Sequence, residues 1–499
     1  MVAGARQPRR ARLPWRDVRL ARAQRGRLRR TGRATVTARL SPEATTALKA
    51  ALAARFGNAY SDAPSVREQH AHTLTYIPNQ PPDAVVFARD EADVVAAVTI
   101  CAAHGAPMIA FGTGTSLEGQ VNAPHGGVAI DVSGLDGIEA VDAADFDCVV
   151  GPGVTRKALN ARLKDDGLFF PVDPGADASV GGMVSTRASG TNAVRYGTMR
   201  ENALALRVVL ADGSVLKTST RARKSSAGYD LTRLFVGAEG TLGIVTQVTL
   251  KLHPLPEAIA GGVCPFQTVR AACDAAIMAI QAGVPLARVE LVDAVQMRAN
   301  RLHSGIDLPE SPALFVEFHG TEAGVAEQVA RFGEIAAEFG GADFRWATKP
   351  EDRTRLWQAR HDSYWASLLL RPGAKPLATD ACVPLSRLAD CVEETMADIE
   401  ACGFVAPIVG HVGDGNFHTS PMAMPDDPAE IAAVKAFADR LAHRAIAMGG
   451  TCTGEHGVGQ GKRAFLVDEH GAEAVAAMRA IKAALDPRDL MNPGKMLPD

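Results

Sequence analysis

From Asp83 onward, short apolar runs alternate with segments whose apolar residues recur every three to four positions. Strands buried in a sheet give the first pattern, and helices lying across a sheet give the second. Residues 84–88, 108–111, 128–132, 148–150, 206–210 and 241–252 read as strands, several buried on both faces, and 90–104 as an amphipathic helix. Ser41-Pro42-Glu43 opens an earlier helix with an N-cap, a proline at the first helical position and an early acid, and Gly57 closes it. The prolines of His253-Pro254-Leu255-Pro256 suit a domain boundary. Beyond it, 269–282, 323–339, 351–370, 385–402, 428–448 and 472–485 read as helices, with 313–318 as a strand. The pattern predicts an α+β protein: a tail over 1–38, a helical segment over 39–78, one mixed domain over 79–255 and a second over 256–499.

Composition narrows the class. At 499 residues, 47% hydrophobic and 22% charged, the chain can bury two or three ordinary cores. A net charge of -3 argues against a general nucleic-acid binder. The eight cysteines form no CxxC pair, which excludes a zinc ribbon or cluster motif and fits a reducing, cytoplasmic setting. No apolar run approaches the ~20 residues that span a bilayer, so any contact with an inner membrane would be peripheral. Residues 1–38 are rich in arginine with Asp17 as the single acid. They lack the serines of a transit peptide and the apolar core of a secretory signal, and read as a disordered basic tail.

Three small-residue segments look built for a large phosphate-bearing cofactor. Gly112-Thr113-Gly114-Thr115-Ser116 follows a buried strand, where glycine backbone and hydroxyls can converge on an anion. A nicotinamide site would want GxGxxG opening a long helix, but the next glycine is Gly119 and Pro124 follows soon after. The stretch 171–198 contains Pro174, Gly175, Gly181, Gly182, Ser185, Ser189, Gly190, Thr191, Asn192, Tyr196 and Gly197. It is too polar for a dense core and suits a groove for pyrophosphate, ribose and ring amides. Glu239, Gly240 and Ile244 sit in the third segment, where a strand begins with its backbone exposed by glycine.

The sharpest chemistry is C-terminal. Gly410-His411-Val412-Gly413-Asp414-Gly415-Asn416-Phe417-His418 is answered by Thr453-Gly454-Glu455-His456-Gly457-Val458-Gly459. Imidazole nitrogens with one carboxylate are a usual ligand set for a borderline divalent metal, and one further histidine stays free to move a proton. A separation of seven would put His411 and His418 on opposite faces of a straight strand, a conflict the Gly413-Asp414-Gly415 turn can remove.

In this order, the three cofactor segments resemble the FAD-binding domain of the vanillyl-alcohol-oxidase-type flavoproteins, the FAD-linked oxidases with a PCMH-type domain. The likeness covers roughly residues 40–499. The histidine set is similar to that of the D-2-hydroxyacid dehydrogenase branch. Residues 192–199, 379–386 and 450–456 look most like cytochrome-type D-lactate dehydrogenases. The resemblance implies a two-lobed FAD-binding domain, a cap domain with an antiparallel sheet, and FAD between them. It implies His411, His418 and Glu455 as ligands of zinc or manganese and His456 as general base, although Glu455 and His456 could exchange roles. Arg360, Lys375 and Asn416 match positions that hold the substrate in relatives. The expected reaction is oxidation of a D-2-hydroxy acid, D-lactate first; D-2-hydroxyglutarate and glycolate are the alternatives. Tyr364 stands where some hydroxyglutarate relatives carry a small hydroxyl residue, which favours lactate. A non-catalytic subunit of such an assembly and an ether-lipid synthase remain readings from other classes. The loop 112–116 contains no histidine, so noncovalent FAD is expected. With no haem-attachment motif or nicotinamide fingerprint, the resemblance implies an external acceptor: cytochrome c, a quinone or an electron-transfer flavoprotein. It is also compatible with a homodimer.

Overall fold

The computed structural model describes residues 39–72, 75–347 and 349–498; the arginine-rich stretch read as a tail lies outside them. The first described helix, Pro42–Phe56, begins where Ser41 Oγ accepts the Ala44 amide at 3.2 Å, and Gly57 ends it at φ 53°. Its buried Leu48, Leu52 and Phe56 pack with Val94, Val98 and Cys101 of helix Glu91–His104, capped by Asp90. Both helices cover a four-stranded sheet in which Ala84–Phe87, Val128–Asp131 and Met108–Phe111 run parallel, with Tyr60–Ser61 antiparallel at one edge. A second sheet is antiparallel, in the order Ile138–Asp142, Asp147–Val150, Ile244–Lys251, Ala203–Val209, Val215–Lys217. The strand expected from residue 241 starts only at Ile244. Glu239 at φ 52° and Gly240 at φ 71° are left-handed, so the chain is still turning at Thr241. These two sheets form the two lobes of the FAD-binding half.

The third sheet has seven antiparallel strands: Arg345–Ala347, Ala258–Pro265, Ala313–Gly320, Leu286–Val292, Ile408–Gly410, Asn416–Thr419 and Ala381–Cys382. Helices Val269–Gln281, Glu322–Glu338, Leu388–Cys402 and Pro428–Ala447 contribute to its core with Val289, Leu291, Leu314, Val316, Phe318, Phe332, Phe417 and Phe437. Each such side chain taken from water stabilises the fold by roughly 1.5–3 kcal/mol. Strand alternation leaves Arg288, Glu290, Glu317 and His319 on the opposite face, toward the FAD-binding half. There Arg288 donates to Asn192 at 2.9 Å, and Tyr196 and His319 Nδ1 hydrogen-bond at 2.7 Å.

Two local expectations change. Residues 171–198 carry short helices, Val180–Thr186 and Ala193–Tyr196. The helix read over 351–370 breaks at Asp362 into Pro350–His361, Ser363–Ser367 and a 3-10 turn at Leu368–Leu370. Ser363 Oγ donates to the Arg360 carbonyl at 2.7 Å, a local bond that competes with the helical ladder. Among the described residues, no helix is long and apolar enough to cross a membrane, and all eight cysteines are free.

Candidate active site

One cleft of ≈ 520 Å³ runs from the first glycine loop to the histidine cluster. At its FAD-binding end it is lined by Gly112, Thr113, Gly114, Thr115, Ser116, Pro174, Gly175, Gly181, Gly182, Ser185, Ser189, Thr191, Glu239, Gly240 and Ile244. Gly112 keeps the backbone open there: a Cβ would stand 2.4 Å from Ser179 Oγ and displace that hydroxyl. Ser116 Oγ and Ser179 Oγ are buried with no hydrogen-bond partner. Unpartnered donors beside a groove walled by backbone fit an acceptor-rich ligand such as FAD. Four residues expected to touch the cofactor lie outside the lining. Asn192 donates to Pro171 O at 2.9 Å and accepts from Arg288, while Tyr196 bonds His319. Gly190 lets the chain pass Asp173, whose backbone would be 2.5 Å from a Cβ, and Gly197 packs against Glu201. These four hold the loop and the join between the domains.

At the other end a hairpin positions the histidines. Strands Ile408–Gly410 and Asn416–Thr419 pair Val409 with His418, and Gly415 turns between them at φ 79°. A Cβ at Gly415 would lie 2.1 Å from the Val383 carbonyl oxygen, so no larger residue fits. His418 Nδ1 donates to Thr379 O at 2.9 Å and His411 Nδ1 to Glu290 Oε1 at 2.7 Å. Each ring therefore presents Nε2 to Glu455 Oε1, at 3.2 Å from His418 and 3.3 Å from His411. Ligand atoms ~2.1 Å from a common tetrahedral ion lie ~3.4 Å apart, so these three side chains fit one divalent cation. Burial opposes charge on His411, but Glu290 and Glu455 outweigh it and hold its pKa well above the ordinary histidine value. Burial likewise opposes the Glu455 carboxylate, yet His411 and His418 keep its pKa well below the usual range.

Two buried carboxylates hold the loop that carries Glu455 and His456. Asp380 Oδ2 accepts the amides of Glu455 and His456, both at 2.9 Å, and the Thr453 hydroxyl at 2.8 Å. Glu239, from the FAD-binding half, accepts the amides of Val458 at 2.6 Å and Gly459 at 2.8 Å. The His456 ring stacks on His418 with centroids 5.0 Å apart, and its Nδ1 is buried without a partner. Burial, against the opposing pull of Asp380, lowers the His456 pKa to about 4.

Of the three residues expected to hold the substrate, only Arg360 lines the cleft. Its Nη2 donates to Glu290 Oε2 at 2.6 Å, and its Nε is buried without a partner. Asn416 lies behind the site, donating to Asp380 at 2.8 Å and to the Ala381 carbonyl at 2.9 Å. Lys375 is exposed on a two-residue strand paired with Met422–Ala423, and its carbonyl accepts from Tyr76. Tyr364 and Trp365 complete this end of the cleft. Glu290 is absent from the sequence reading, and Asp380 has no role in it. Glu290 stands alone as an acid in the apolar run 284–292, and Asp380 lies inside the quoted 379–386 stretch, so each had a signal.

Residues 82–219 match the family model of an FAD binding domain, and 255–496 that of the C-terminal domain of FAD linked oxidases. Over 436 residues the chain is 52% identical to a Danio rerio protein named probable D-lactate dehydrogenase, mitochondrial, covering 87% of this chain and 88% of that one. It is 46% identical over 417 residues to D-lactate dehydrogenase (cytochrome), mitochondrial, of Arabidopsis thaliana, covering 84% and 74% of the two. The solved structure of p-cresol methylhydroxylase with substrate bound gives a TM-score of 0.76 at 17% identity, covering 91% of this chain and 97% of that one, a likeness of fold alone. With both domain models matched in order and 52% identity to a relative over most of both lengths, the chain belongs to the family of FAD-linked oxidases.

Proposed function

We propose that this protein oxidises a D-2-hydroxy acid, D-lactate to pyruvate, using FAD and a divalent cation. The observation that carries the reading is the single cleft joining the glycine-loop groove to Arg360, the His411/His418/Glu455 set and His456. FAD would supply the acceptor for the α-carbon hydride, and zinc or manganese on His411, His418 and Glu455 would supply Lewis acidity toward the substrate hydroxyl. Arg360 binds the substrate carboxylate: its Nη2 is anchored on Glu290 and its side chain lines the cleft. A planar guanidinium suits that task. His456 takes the hydroxyl proton. Its lowered pKa keeps the ring neutral near pH 7 with a lone pair available, and the loop bonds to Asp380 hold it in place.

Both nitrogens of His70, which packs on Phe111, are engaged by Val66 O and Asp131, which supports noncovalent FAD. The electrons pass to an external acceptor of cytochrome type, a reading supported by the name of the Arabidopsis relative. The deciding experiment is anaerobic dye reduction with a panel of D- and L-2-hydroxy acids that includes D-2-hydroxyglutarate and glycolate. D-lactate should reduce the dye and yield pyruvate, with L-lactate inert. No reduction by any D-2-hydroxy acid, with FAD and metal loaded, would leave a non-catalytic subunit as the better reading.

A further inference from the structure

Leu286–Val292 places one carboxylate between two parts of the site that are far apart in sequence. Glu290 is fully buried. Its Oε2 accepts from Arg360 Nη2 at 2.6 Å and its Oε1 from His411 Nδ1 at 2.7 Å. Neighbouring Val289 and Leu291 face the helix-covered core, so the pleat turns Glu290 to the cleft side as the only acid on this strand. Among the described residues, Glu290 is the hydrogen-bond acceptor of both Arg360 Nη2 and His411 Nδ1; Arg360 Nε has no acceptor, and His411 Nε2 faces Glu455.

We infer that Glu290 is a positioning residue that sets the substrate-binding arginine and the metal-binding tautomer of His411 together, so that grip on the carboxylate and hold on the cation depend on one side chain. The inference rests on the reading of the cleft given above and deepens it. Its basis is acceptor geometry. A carboxylate has an acceptor for each partner. A glutamine has one carbonyl oxygen and one NH2 group. With its oxygen toward His411, the NH2 meets the Arg360 donor. With its oxygen toward Arg360, the NH2 needs a lone pair on His411 Nδ1, and the imidazole proton moves to Nε2, the atom that faces Glu455. Either way one function is lost, and loss of an acceptor behind a ligating histidine typically weakens metal affinity about 10- to 100-fold.

The test uses the full-length flavoprotein and two binding readouts besides turnover. The dissociation constant of Mn2+ is measured by titration into metal-depleted protein, and that of pyruvate by its perturbation of the flavin spectrum. Glu290→Gln, which can serve only one partner, should weaken either Mn2+ binding about 10- to 100-fold or pyruvate binding, according to the way the amide turns. Glu290→Met, which serves neither, should weaken both; the flavin stays in place. Arg360→Met should weaken pyruvate binding with a much smaller change for Mn2+, separating the two arms. If Glu290→Gln does not accumulate as a flavoprotein, the double variant Glu290→Met/Arg360→Met removes donor and acceptor together, and it should still bind Mn2+ more weakly than Arg360→Met alone. Unchanged affinity for both ligands in Glu290→Gln, loss of only one of them in Glu290→Met, or Mn2+ binding in the double variant equal to that of Arg360→Met overturns the inference. Failure of the wild-type protein to bind Mn2+ or pyruvate would instead overturn the proposed function on which it rests.

Discussion

Replacing Asp380 with asparagine should loosen the Thr453–Gly459 loop while leaving the side chain's shape intact. In the wild-type protein Oδ2 receives three donors, the amides of Glu455 and His456 and the Thr453 hydroxyl, and Oδ1 receives the Asn416 carboxamide at 2.8 Å. The Lys462 ammonium stands 3.7 Å away, also bridging to Glu118 at 3.2 Å. Hydrogen bonds to a charged acceptor contribute about 1.5–3 kcal/mol and neutral ones about 0.5–1.5, so three bonds lose about 3 kcal/mol together. The new NH2 faces the Asn416 NH2, leaving a buried donor unmade at a further cost of about 1–3 kcal/mol. The sum is about 4–6 kcal/mol of local stability, or roughly three to four decades in the opening equilibrium. Hydrogen–deuterium exchange of the peptide spanning 453–459 should accelerate by that factor, with the helix-covered face of the cap sheet unchanged. Burial opposes charge on Asp380, but His456, Lys462, His418 and the backbone donors hold its pKa well below the usual value. A depressed carboxyl stabilises above its unfolded pKa of ~3.9 and loses that contribution as pH falls through the lower folded pKa. The difference between wild type and variant should therefore be constant above about pH 4 and shrink below it. Equal exchange of the loop in the two proteins would refute this reasoning.

His456→Ala should keep flavin and metal, by visible spectrum and elemental analysis, yet lose roughly two to four decades of turnover. A loss of tenfold or less would make His456 structural. Arg360→Ala should cost on the order of 2–5 kcal/mol in kcat/KM for every 2-hydroxy acid accepted, with flavin content unchanged. Chelation should abolish dye reduction while the flavin spectrum persists, and added zinc or manganese should restore it; full activity in a sample shown to be metal-free would contradict the cation assignment.

The features legible in the sequence are those whose causes are local. Ser41, Pro42 and Gly57 bound the first helix by capping and backbone conformation, and the structure places that helix at Pro42–Phe56. The Gly413-Asp414-Gly415 turn resolves the spacing of His411 and His418 as a hairpin. What stayed hidden depends on distant partners. The apolar run containing Leu286–Val292 gave no strand assignment, although it forms an inner strand of the cap sheet. With it went Glu290, whose partners Arg360 and His411 lie 70 and 121 positions away. Asn192, Tyr196 and Asn416 have the polarity of cofactor or substrate contacts, but their hydrogen bonds are spent on Arg288, His319 and Asp380. Polarity marks a residue that needs partners, and only the fold says whether protein supplies them. The break at Asp362 follows the same logic, since periodicity across 351–370 does not register a serine hydroxyl taking the Arg360 carbonyl.

The claim that one cleft brings flavin, cation ligands and proton acceptor to a single hydroxy acid is tested most directly by anaerobic stopped-flow mixing. Protein loaded with FAD and metal is mixed with D-lactate while the visible flavin absorbance is followed in the absence of any acceptor. Bleaching in a single turnover is expected, with one pyruvate formed per flavin, no bleaching with L-lactate, and a rate lowered by at least about a hundredfold in His456→Ala. Flavin that stays oxidised with D-lactate and with every other D-2-hydroxy acid, in protein shown to hold both FAD and metal, would contradict it.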